Sequence, residues 1–459
     1  MKGQSKMLGK IGWAVRLGAL VAAVLLVLPV LGACKGDARG DNLAGYELTI
    51  ADFNGARWKH VTEQPNLYDR TWNTMLDEVK KEYNVKITPL TVVVSDMSNR
   101  AMVEVMAGDK YADFVIPTQW ASGNMISSEI MLNLNELKEY GVDIATANWV
   151  NQDLRKIATL KNDTVYFINT SFISDMPQMW VLYYNRDIWN ELNLGDPYKM
   201  VENGEWTVEK FRAACSAALK DGDGDGQVSS KEDRWGLIAP GGDFKNAFFL
   251  GMGGHCYRMG ESGKMEIAFD NEETYARSTM MYQINNIDKS TYYTGDLNTD
   301  MWPAWQSGKS LFMGYMNGNK KAQEVKFQWG VLPMPKWNKE QERYMSGVDH
   351  NASVFGITNT NENLYEVATL LKAFGEKGMK LESIYWPDFE LTYWDTPEDG
   401  LLVDNYIAGK GAYDMTLLMS NAYGELGWPM SNMGVNDFKS RAESQMPVIQ
   451  AALDDAFGE

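Results

Sequence analysis

The sequence predicts an α/β protein with two lobes. Residues 47–120 alternate predicted strands and helices at the spacing of βαβ units, which build parallel sheets. A second group of predicted strands lies within residues 181–332, and one further strand is expected near residue 352. Because two groups of strands separated in sequence form two sheets most simply, we expect two lobes between which the chain crosses more than once.

The first group begins with ELTIADF, a predicted strand at residues 47–53. Apolar residues then recur at helical spacing, and two further strands follow with a short helix between them. These predicted elements lie at 67–83 (helix), 85–94 (strand), 100–107 (helix) and 111–120 (strand). Crossovers between parallel strands are nearly always right-handed, so we expect a right-handed βαβαβ unit here.

The second group is organised around WVLYYNRDIW, residues 180–189. Trp180–Tyr184 are five consecutive apolar or aromatic residues with high β propensity, a length that fits a strand buried on both faces, as in parallel sheets. Asn185 is expected to cap the short helix that follows. Further strands are expected at 235–238, 310–313 and 329–332. Further helices are expected at 207–219, 271–287, 364–374 and 437–457.

Residues 1–33 have the pattern of a secretory signal. Four basic residues precede an apolar run that ends in Leu31-Gly32-Ala33-Cys34. A leucine three residues before a cysteine, with small residues between them, resembles the bacterial lipobox, which implies that Cys34 is diacylated and held in a membrane. Residues 34–45 would then form a polar, acylated tether. An uncleaved membrane helix is the alternative, but the apolar run is short for a membrane span.

The charge and the cysteines restrict the class of protein further. Removal of residues 1–33 takes away four basic residues and no acidic one, so the formal net charge changes from −18 to −22. Such an acidic surface argues against nucleic acid as a partner. Only Cys215 and Cys256 remain beyond Cys34, which is too few for a disulfide framework. We expect both to be unpaired core residues, with one disulfide between them as the alternative.

DGDGDGQVSSKE, residues 221–232, matches the twelve-residue calcium loop position by position. Gly226 stands at the sixth position, where the sharp turn needs a left-handed backbone. The predicted Ca²⁺ ligands are Asp221, Asp223, Asp225, Gln227 (through its carbonyl), Ser229 and Glu232. Since a strand rather than a helix is predicted to follow, we expect a structural ion that pins the loop and not a calcium switch. The alternative is a solvated acidic turn.

Aromatic residues are numerous, with sixteen tryptophans and twenty-two tyrosines. Flat rings stack on the C–H faces of sugars, while nearby polar side chains bind hydroxyl groups, so we expect several rings to line one ligand cleft. Tryptophans in predicted loops or at strand ends are Trp58, Trp120, Trp302, Trp305, Trp386, Trp394 and Trp428. Polar side chains near them in sequence are Asn54, Arg57, Asp349, His350 and Asp395.

Catalytic motifs are poorly represented in the sequence. It contains no zinc-protease, nucleophile-elbow or phosphate-loop pattern, and its three histidines are far apart. A glycosidase, however, needs only two carboxylates, which no pattern rules out among 61 acidic residues. A secreted glycoside hydrolase therefore stays open as an alternative to a binding protein.

Taken together, the chain resembles the extracellular solute-binding lipoproteins of bacterial ABC importers, in the maltose-binding-protein-like family 1. The resemblance is carried by the lipobox, ELTIADF, MVEVMAGDKYADFVI, WVLYYNRDIWNELNL, GEWTVEKF, GKSLFMGYM and FQWGVLPMPKW. Calcium loops with this sequence pattern also occur in the family, including in members that bind acidic oligosaccharides. The resemblance implies a type II periplasmic-binding-protein-like fold, in which each lobe is a mixed sheet flanked by helices. It implies an N-terminal lobe of residues 46–172 and 333–395, and a C-terminal lobe of residues 173–332 and 396–459.

The resemblance also implies a function without catalysis. A solute, expected to be an oligosaccharide, is gripped between the lobes by hinge closure and delivered to the transmembrane permease. A peptide or another polar solute is the alternative. The receptor is expected to be a monomer held by its lipid at the extracytoplasmic face of the membrane.

The family's site residues map onto several positions of this sequence. Trp120 matches the site aromatic after the third strand, Tyr184 the tyrosine of a crossing strand, and Tyr315 a ligand-facing aromatic. Trp428 lies where a late aromatic closes the cleft. With the polar residues, the predicted ligand-binding set is Asn54, Arg57, Trp58, Trp120, Tyr184, Tyr315, Asp349, Trp394 and Trp428.

Overall fold

A computed structural model describes residues 42–174, 178–229, 232–262, 264–393, 396–419, 422 and 424–457. The strands are β1 (Glu47–Asp52), β2 (Lys86–Pro89), β3 (Phe114–Ile116), β4 (Thr159–Leu160), β5 (Thr164–Val165), β6 (Trp180–Asn185), β7 (Trp235–Pro240), β8 (Tyr257–Met259), β9 (Met265–Ile267), β10 (Thr291–Thr294), β11 (Ser310–Met316), β12 (Trp329–Leu332), β13 (Ser346–Gly347) and β14 (Gly411–Ala412). The α-helices are α1 (Leu67–Glu82), α2 (Met97–Met106), α3 (Gln119–Ser127), α4 (Gln152–Ile157), α5 (Arg186–Glu191), α6 (Pro197–Glu202), α7 (Val208–Ala218), α8 (Gly241–Gly251), α9 (Glu272–Tyr282), α10 (Trp302–Gln306), α11 (Lys320–Gln323), α12 (Leu364–Tyr393), α13 (Pro397–Tyr406), α14 (Thr416–Met419), α15 (Trp428–Asn432) and α16 (Phe438–Phe457).

The first sheet contains the predicted βαβαβ unit. Its strand order is β2-β1-β3, and both pairings are parallel. Antiparallel bridges join Val115 to Gly356 and Phe355 to Ile168, so later chain segments extend the sheet and make it mixed. The expected strand near residue 352 is therefore present as a series of bridges at this edge.

The core of the first lobe lies between this sheet and two long helices. Helix α1 has the predicted amphipathic pattern, and its buried residues are Trp72, Met75, Leu76 and Val79. Helix α12 packs against α1, and Lys377 forms ion pairs with Glu78 (3.3 Å) and Glu82 (2.9 Å). Helix α12 extends beyond the predicted end at residue 374 to Tyr393. Gly375 and Gly378 do not end it, because they lie where the helix packs closely on Trp149 and Ser171 and a Cβ would clash.

The second sheet has the order β10-β7-β11-β6-β12. Every residue of β6 is buried, which confirms the prediction of a strand covered on both faces. Its two neighbours, β11 and β12, are both antiparallel to it, whereas β7 runs parallel to β10 and β11. The expectation of a parallel setting for β6 was wrong because an apolar run reports burial and not strand direction.

The predicted cap at Asn185 and the predicted unpaired cysteines are confirmed. The side-chain oxygen of Asn185 accepts the N–H groups of Asp187 (3.0 Å) and Ile188 (3.1 Å), which caps α5 as predicted. Cys215 and Cys256 are both buried and unbonded, also as predicted. The two thiols therefore act as small core groups.

A buried ion pair ties α13 to the second sheet. Arg186 lies 2.6 Å from Asp399, whose other carboxylate oxygen accepts the Tyr198 hydroxyl (2.8 Å) and the Val331 N–H (3.2 Å). Burial raises the pKa of Asp399, and the Arg186 guanidinium opposes that shift. Helix α13 is thus held to Arg186 and to β12 by a carboxylate that also accepts the N–H (3.2 Å) and the hydroxyl (3.0 Å) of Thr396.

Two chain segments cross between the lobes side by side. Met179 pairs with Val348 through an antiparallel bridge, and the Asp349 N–H donates to the Gln178 carbonyl (2.8 Å). Residues 333–345, which we expected in the first lobe, contact the second, because Val208 N–H donates to the carbonyl of Lys336 (2.8 Å). The return crossing therefore lies closer to Val348 than the predicted boundary at residue 333.

The lobes also touch away from the crossings. Helix α14 packs against α3, and Asn151 Nδ2 donates to the Tyr413 hydroxyl (2.6 Å). Because Trp120 of α3 and Thr416 of α14 both line the first cavity described below, these contacts border the candidate site.

The predicted signal and Cys34 lie outside the residues that the structure describes. Within the described part of the chain, no helix is both long enough and apolar enough to cross a membrane.

Candidate functional site

Trp120 stands at the opening between the two lobes. It follows β3, and the side-chain oxygen of Thr118 accepts the Ala121 N–H (3.1 Å), which starts α3 at this point. Residues beyond the carboxyl ends of parallel strands lie at the edge where open α/β sheets bind ligands. The backbone N–H of Trp120 donates to the His350 carbonyl (3.0 Å), and the side chain is 52% exposed. The backbone is therefore fixed while the ring faces the cleft.

Two adjoining cavities share Trp120 and His350, and we call them together the Trp120 cleft. The first has a volume of about 400 Å³, and its polar lining residues are Asp243, Asn246, His350, Thr416 and Ser431. The second has a volume of about 680 Å³, and its polar lining residues are Ser95, Ser98, Asn99, Thr118, Asn124, His350 and Asn351. Hydroxyl, amide and carboxylate groups from both lobes thus surround one indole ring.

One wall of the cleft is a cluster of two carboxylates and an imidazole. His350 Nδ1 lies 3.3 Å from Asp243 Oδ1 and 3.9 Å from Asp349 Oδ1. Asp349 is buried, and its other oxygen accepts the Trp180 indole N–H (3.0 Å). Burial raises the pKa of Asp349, and the hydrogen bond to Asp243 raises the pKa of His350. The cluster joins α8 to a crossing segment at the mouth of the cleft.

A smaller recess of about 280 Å³ holds two of the predicted ligand residues, Asn54 and Arg57. The Arg57 guanidinium is held by Asp52 (3.0 Å) and donates to the Ser353 hydroxyl (2.9 Å). Among the described residues, the indole N–H of Trp72, which also lines this recess, has no hydrogen-bond partner. The recess therefore presents a buried donor beside a fixed guanidinium.

Trp58 lies in the core of the first lobe, with only 3% of its surface exposed. Its ring meets Trp72 and Phe374 edge to face, with centroids 5.5 Å and 5.4 Å away. Its N–H donates to Asp52 Oδ2 (2.6 Å), the carboxylate that also holds Arg57. The ring offers no face to a ligand here, so Trp58 acts in this geometry as support for Asp52.

Tyr184 and Tyr315 are also buried. Tyr184 lies within the second lobe beside Tyr198, with the hydroxyls 3.4 Å apart, and it lines neither part of the Trp120 cleft. Tyr315 packs edge to face on Trp302 (4.9 Å) and Trp180 (5.7 Å), and burial raises its pKa. Through Trp180, Tyr315 supports the wall that Asp349 forms.

Trp428 stacks on Phe438, with ring centroids 5.7 Å apart and an interplanar angle of 22°. Its neighbours Gly427 and Met430 line the first cavity of the cleft, whereas the Trp428 ring packs on the helix behind them. Trp394 lies outside the described residues. Trp302 and Trp305, two other candidate rings, are core residues with 5% and 0% exposure.

The sequence did not single out several polar residues of the cleft. Asp243 and Asn246 lie one turn apart near the start of α8, and Thr416 and Ser431 come from two short C-terminal helices. Asp243 follows the Gly-Gly pair that begins α8, which was the available local signal. No sequence pattern relates these four residues, since the fold brings them together from separate segments.

The acidic loop at residues 221–232 has the internal hydrogen bonds of a preformed turn. Carboxylate oxygens of Asp221, Asp223 and Asp225 lie within 4.8 Å of one another. Asp221 Oδ2 accepts the Gly226 N–H (2.8 Å), and Gly226 has the predicted left-handed backbone, with φ of 85°. Converging carboxylate oxygens suit a hard cation such as Ca²⁺.

The closing half of the loop is arranged differently. Glu232 Oε2 pairs with Lys309 Nζ (2.5 Å), and the same ammonium group donates to the Glu232 carbonyl (2.9 Å). Asp233, which is buried, accepts the Ser229 N–H (2.9 Å). The predicted twelfth ligand is thus held by a lysine, and it must turn away from Lys309 to reach an ion. The chain leaves the loop as strand β7, as predicted.

No protein-family model matches this chain, and no curated protein matches it. Solved structures do match over nearly the whole described chain. The cyclic alpha-maltosyl-1,6-maltose binding protein from Arthrobacter globiformis has a TM-score of 0.59 at 12% identity, with 90% of this chain and 100% of that chain covered. An ABC substrate-binding protein from Listeria monocytogenes in complex with cycloalternan has a TM-score of 0.56 at 14% identity, with 89% and 99% covered.

A third structure with the same fold binds a different kind of solute. UgpB from Mycobacterium tuberculosis, in complex with glycerophosphocholine, has a TM-score of 0.55 at 12% identity, with 90% of this chain and 99% of that chain covered. These likenesses confirm the predicted fold class, an α/β type II periplasmic-binding-protein-like fold with mixed sheets. The predicted resemblance is therefore confirmed at the level of the fold.

Proposed function

We propose that this protein is the extracytoplasmic receptor of an ABC importer and binds an oligosaccharide in the Trp120 cleft. The observation that carries the proposal is a half-exposed indole at the mouth of an interlobe cleft lined by hydroxyl, amide and carboxylate groups. Aromatic faces pack on the C–H faces of sugars, and such polar groups bind sugar hydroxyls. This combination of an aromatic face and polar side chains suits a ligand that has both apolar C–H faces and hydroxyl groups.

Binding proceeds without a chemical step. The Trp120 ring receives one face of a sugar. Asp243 and Asn246 hydrogen-bond its hydroxyls from the second lobe, and His350 does so from the crossing segment. Because the ligand touches both lobes, it binds the closed arrangement more tightly and shifts the population toward it. The paired crossing segments at Met179 and Val348 are the bending point. The closed form would present the surface that the permease recognises.

The predicted ligand residues divide into two groups under this proposal. Trp120 is the stacking platform, and Asn54 and Arg57 extend the site through the smaller recess. Asp349, Tyr315, Trp58, Tyr184 and Trp428 are support residues, since each is packed inside a lobe or behind the wall. We propose the two lobes that the sequence implies, with the return crossing placed at about Val348.

A titration against a panel of solutes tests the proposal. We expect oligosaccharides to bind with measurable heat and no release of reducing ends. Binding of a peptide or of a glycerophosphodiester in place of every glycan would support the other receptor class, for which the glycerophosphocholine complex of the same fold is the precedent. Released reducing ends would show a glycoside hydrolase and overturn the proposal.

We also propose that Cys34 carries the lipid anchor of a monomeric receptor and that residues 221–232 bind a structural Ca²⁺. The lipobox-like LGAC at residues 31–34 supports the first. The three converging aspartates and the left-handed Gly226 support the second. When bound, the ion would supply positive charge among carboxylates that otherwise repel one another. Mass spectrometry of the membrane fraction, with a Cys34→Ser variant as control, tests the anchor.

A further inference from the structure

The wall of the Trp120 cleft contains three ligand atoms of the types that bind transition metals. They are carboxylate oxygens of Asp243 and Asp349 and a ring nitrogen of His350, and all three lie within 4.8 Å of one another. We propose that these residues form a site for a divalent transition-metal cation of the Zn²⁺ type, separate from the calcium loop. The proposal concerns the cluster itself and does not depend on which solute the cleft binds.

The distances require only small movements. Ligand atoms that share an ion at about 2.1 Å lie roughly 3 to 3.5 Å apart. His350 Nδ1 is 3.3 Å from Asp243 Oδ1 and 3.9 Å from Asp349 Oδ1. The carboxylate oxygens lie within 4.8 Å of each other, so an approach of at most about 1.3 Å brings the set into range. Asp243 and His350 are both partly exposed and can make that shift.

The buried member of the set is already oriented. Asp349 Oδ2 accepts the Trp180 indole N–H (3.0 Å), and Asp349 Oδ1 accepts the N–H (2.8 Å) and side-chain amide (2.8 Å) of Asn351. Metal-binding carboxylates are typically held by such outer hydrogen bonds, which fix their direction. These bonds come from Trp180 of β6 and from Asn351, two residues further along the crossing segment.

The charge balance also favours a cation. Two carboxylates face a single imidazole, so the cluster carries a net negative charge even when His350 is protonated. Asp349 is 3% exposed, and a buried carboxylate is stable only when opposite charge or hydrogen bonds compensate it. A divalent ion bound to neutral His350 compensates both carboxylates at once.

The ligand types select the class of metal. Imidazole nitrogen suits Zn²⁺ and other first-row transition metals, whereas Ca²⁺ prefers a shell of six to eight oxygens. The acidic loop offers only oxygen ligands, whereas the cleft cluster offers two carboxylate oxygens and one imidazole nitrogen. Two sites with different preferences can therefore be loaded and measured separately.

The position of the cluster gives such an ion a role in binding. Asp243 belongs to the second lobe, and Asp349 and His350 belong to the segment that crosses between lobes. Three protein ligands would leave at least one coordination position of the ion open, and two of the three, His350 and Asp243, line the 400 Å³ cavity beside Trp120. A solute with neighbouring hydroxyls or a carboxylate can occupy those positions, so the metal would both stiffen the hinge and bind ligand oxygens.

Calorimetric titration of the full protein with Zn²⁺, in excess Ca²⁺ that saturates the loop, tests the proposal. We expect one Zn²⁺ per chain in the wild type. Asp243→Asn and His350→Ala should each weaken that binding at least about tenfold, because each removes a ligand. Co²⁺ should give a visible absorption spectrum that both variants lose.

A matched control is available on the surface. His60 pairs with Asp77 at 3.0 Å, and both side chains are partly or largely exposed, but the pair belongs to no group of three potential ligands among the described residues. His60→Ala should therefore leave Zn²⁺ binding unchanged. Circular dichroism of each variant confirms that it is folded. The proposal is overturned if calcium-saturated wild type takes no Zn²⁺, or if the ion binds equally well to Asp243→Asn and His350→Ala.

Discussion

Replacement of Trp120 by alanine should weaken solute binding about tenfold. A free tryptophan side chain exposes roughly 250 Å², so the 52% exposure of Trp120 corresponds to about 130 Å². A sugar that covers one face removes about half of that area from water. At about 25 cal/mol per Å², the lost contact amounts to about 1.6 kcal/mol, which is slightly more than a tenfold change in Kd.

Calorimetry with the tightest-binding glycan measures the effect, and Tyr140→Ala is the matched control. Tyr140 is another exposed aromatic residue of the first lobe, and it lines none of the described cavities discussed above. Because Trp120 is half exposed, its replacement should leave the unfolding midpoint nearly unchanged. An affinity for Trp120→Ala within twofold of wild type would refute the stacking role, whichever solute binds.

Three further predictions concern stability and calcium. Arg186→Met leaves a buried carboxylate without its cation and should lower the free energy of unfolding, measured in urea, by about 3 kcal/mol. Lys199→Met removes an exposed ion pair and should lower it by less than about 0.5 kcal/mol. Equal losses of stability in the two variants would contradict this prediction. Calcium at about 100 times its Kd should raise the free energy of unfolding by about 2.7 kcal/mol, and Asp221→Asn should abolish this gain. The same unfolding midpoint with calcium and with chelator would count against the loop site. Lys309→Met should tighten calcium binding in calorimetry because it releases Glu232, and weaker binding would show that Lys309 helps to form the site.

The elements that sequence reasoning placed well carry short-range information. A run of apolar residues sufficed for β6, and Asn185 caps the next helix because its side chain reaches N–H groups only two and three residues away. The turn at Gly226 is of the same kind. Such features depend on neighbours in the chain, so the residues themselves contain the signal.

The aromatic residues show the limit of that reasoning. Trp58 and Trp120 both follow a strand of the first sheet, yet one ring is buried among other aromatics and the other is half exposed. The difference depends on helices α1 and α12, which cover one side of the sheet, whereas the crossing segment at His350 leaves the Trp120 ring open. The residues next to Trp58 and Trp120 in the chain do not indicate which of the two rings a helix will cover.

The amino-acid sequence alone determined the alternation of strands and helices, the acidic loop and the resemblance to solute-binding receptors, because hydrophobic period, turn residues and ligand spacing act over a few residues. Only the tertiary structure decided the antiparallel neighbours of β6, the place of the return crossing and the membership of the cleft. More than a hundred residues of the chain separate Trp120 from Asp243, and Asp243 from His350. They meet because burial of two cores, each larger than any one segment can provide, drives distant segments together.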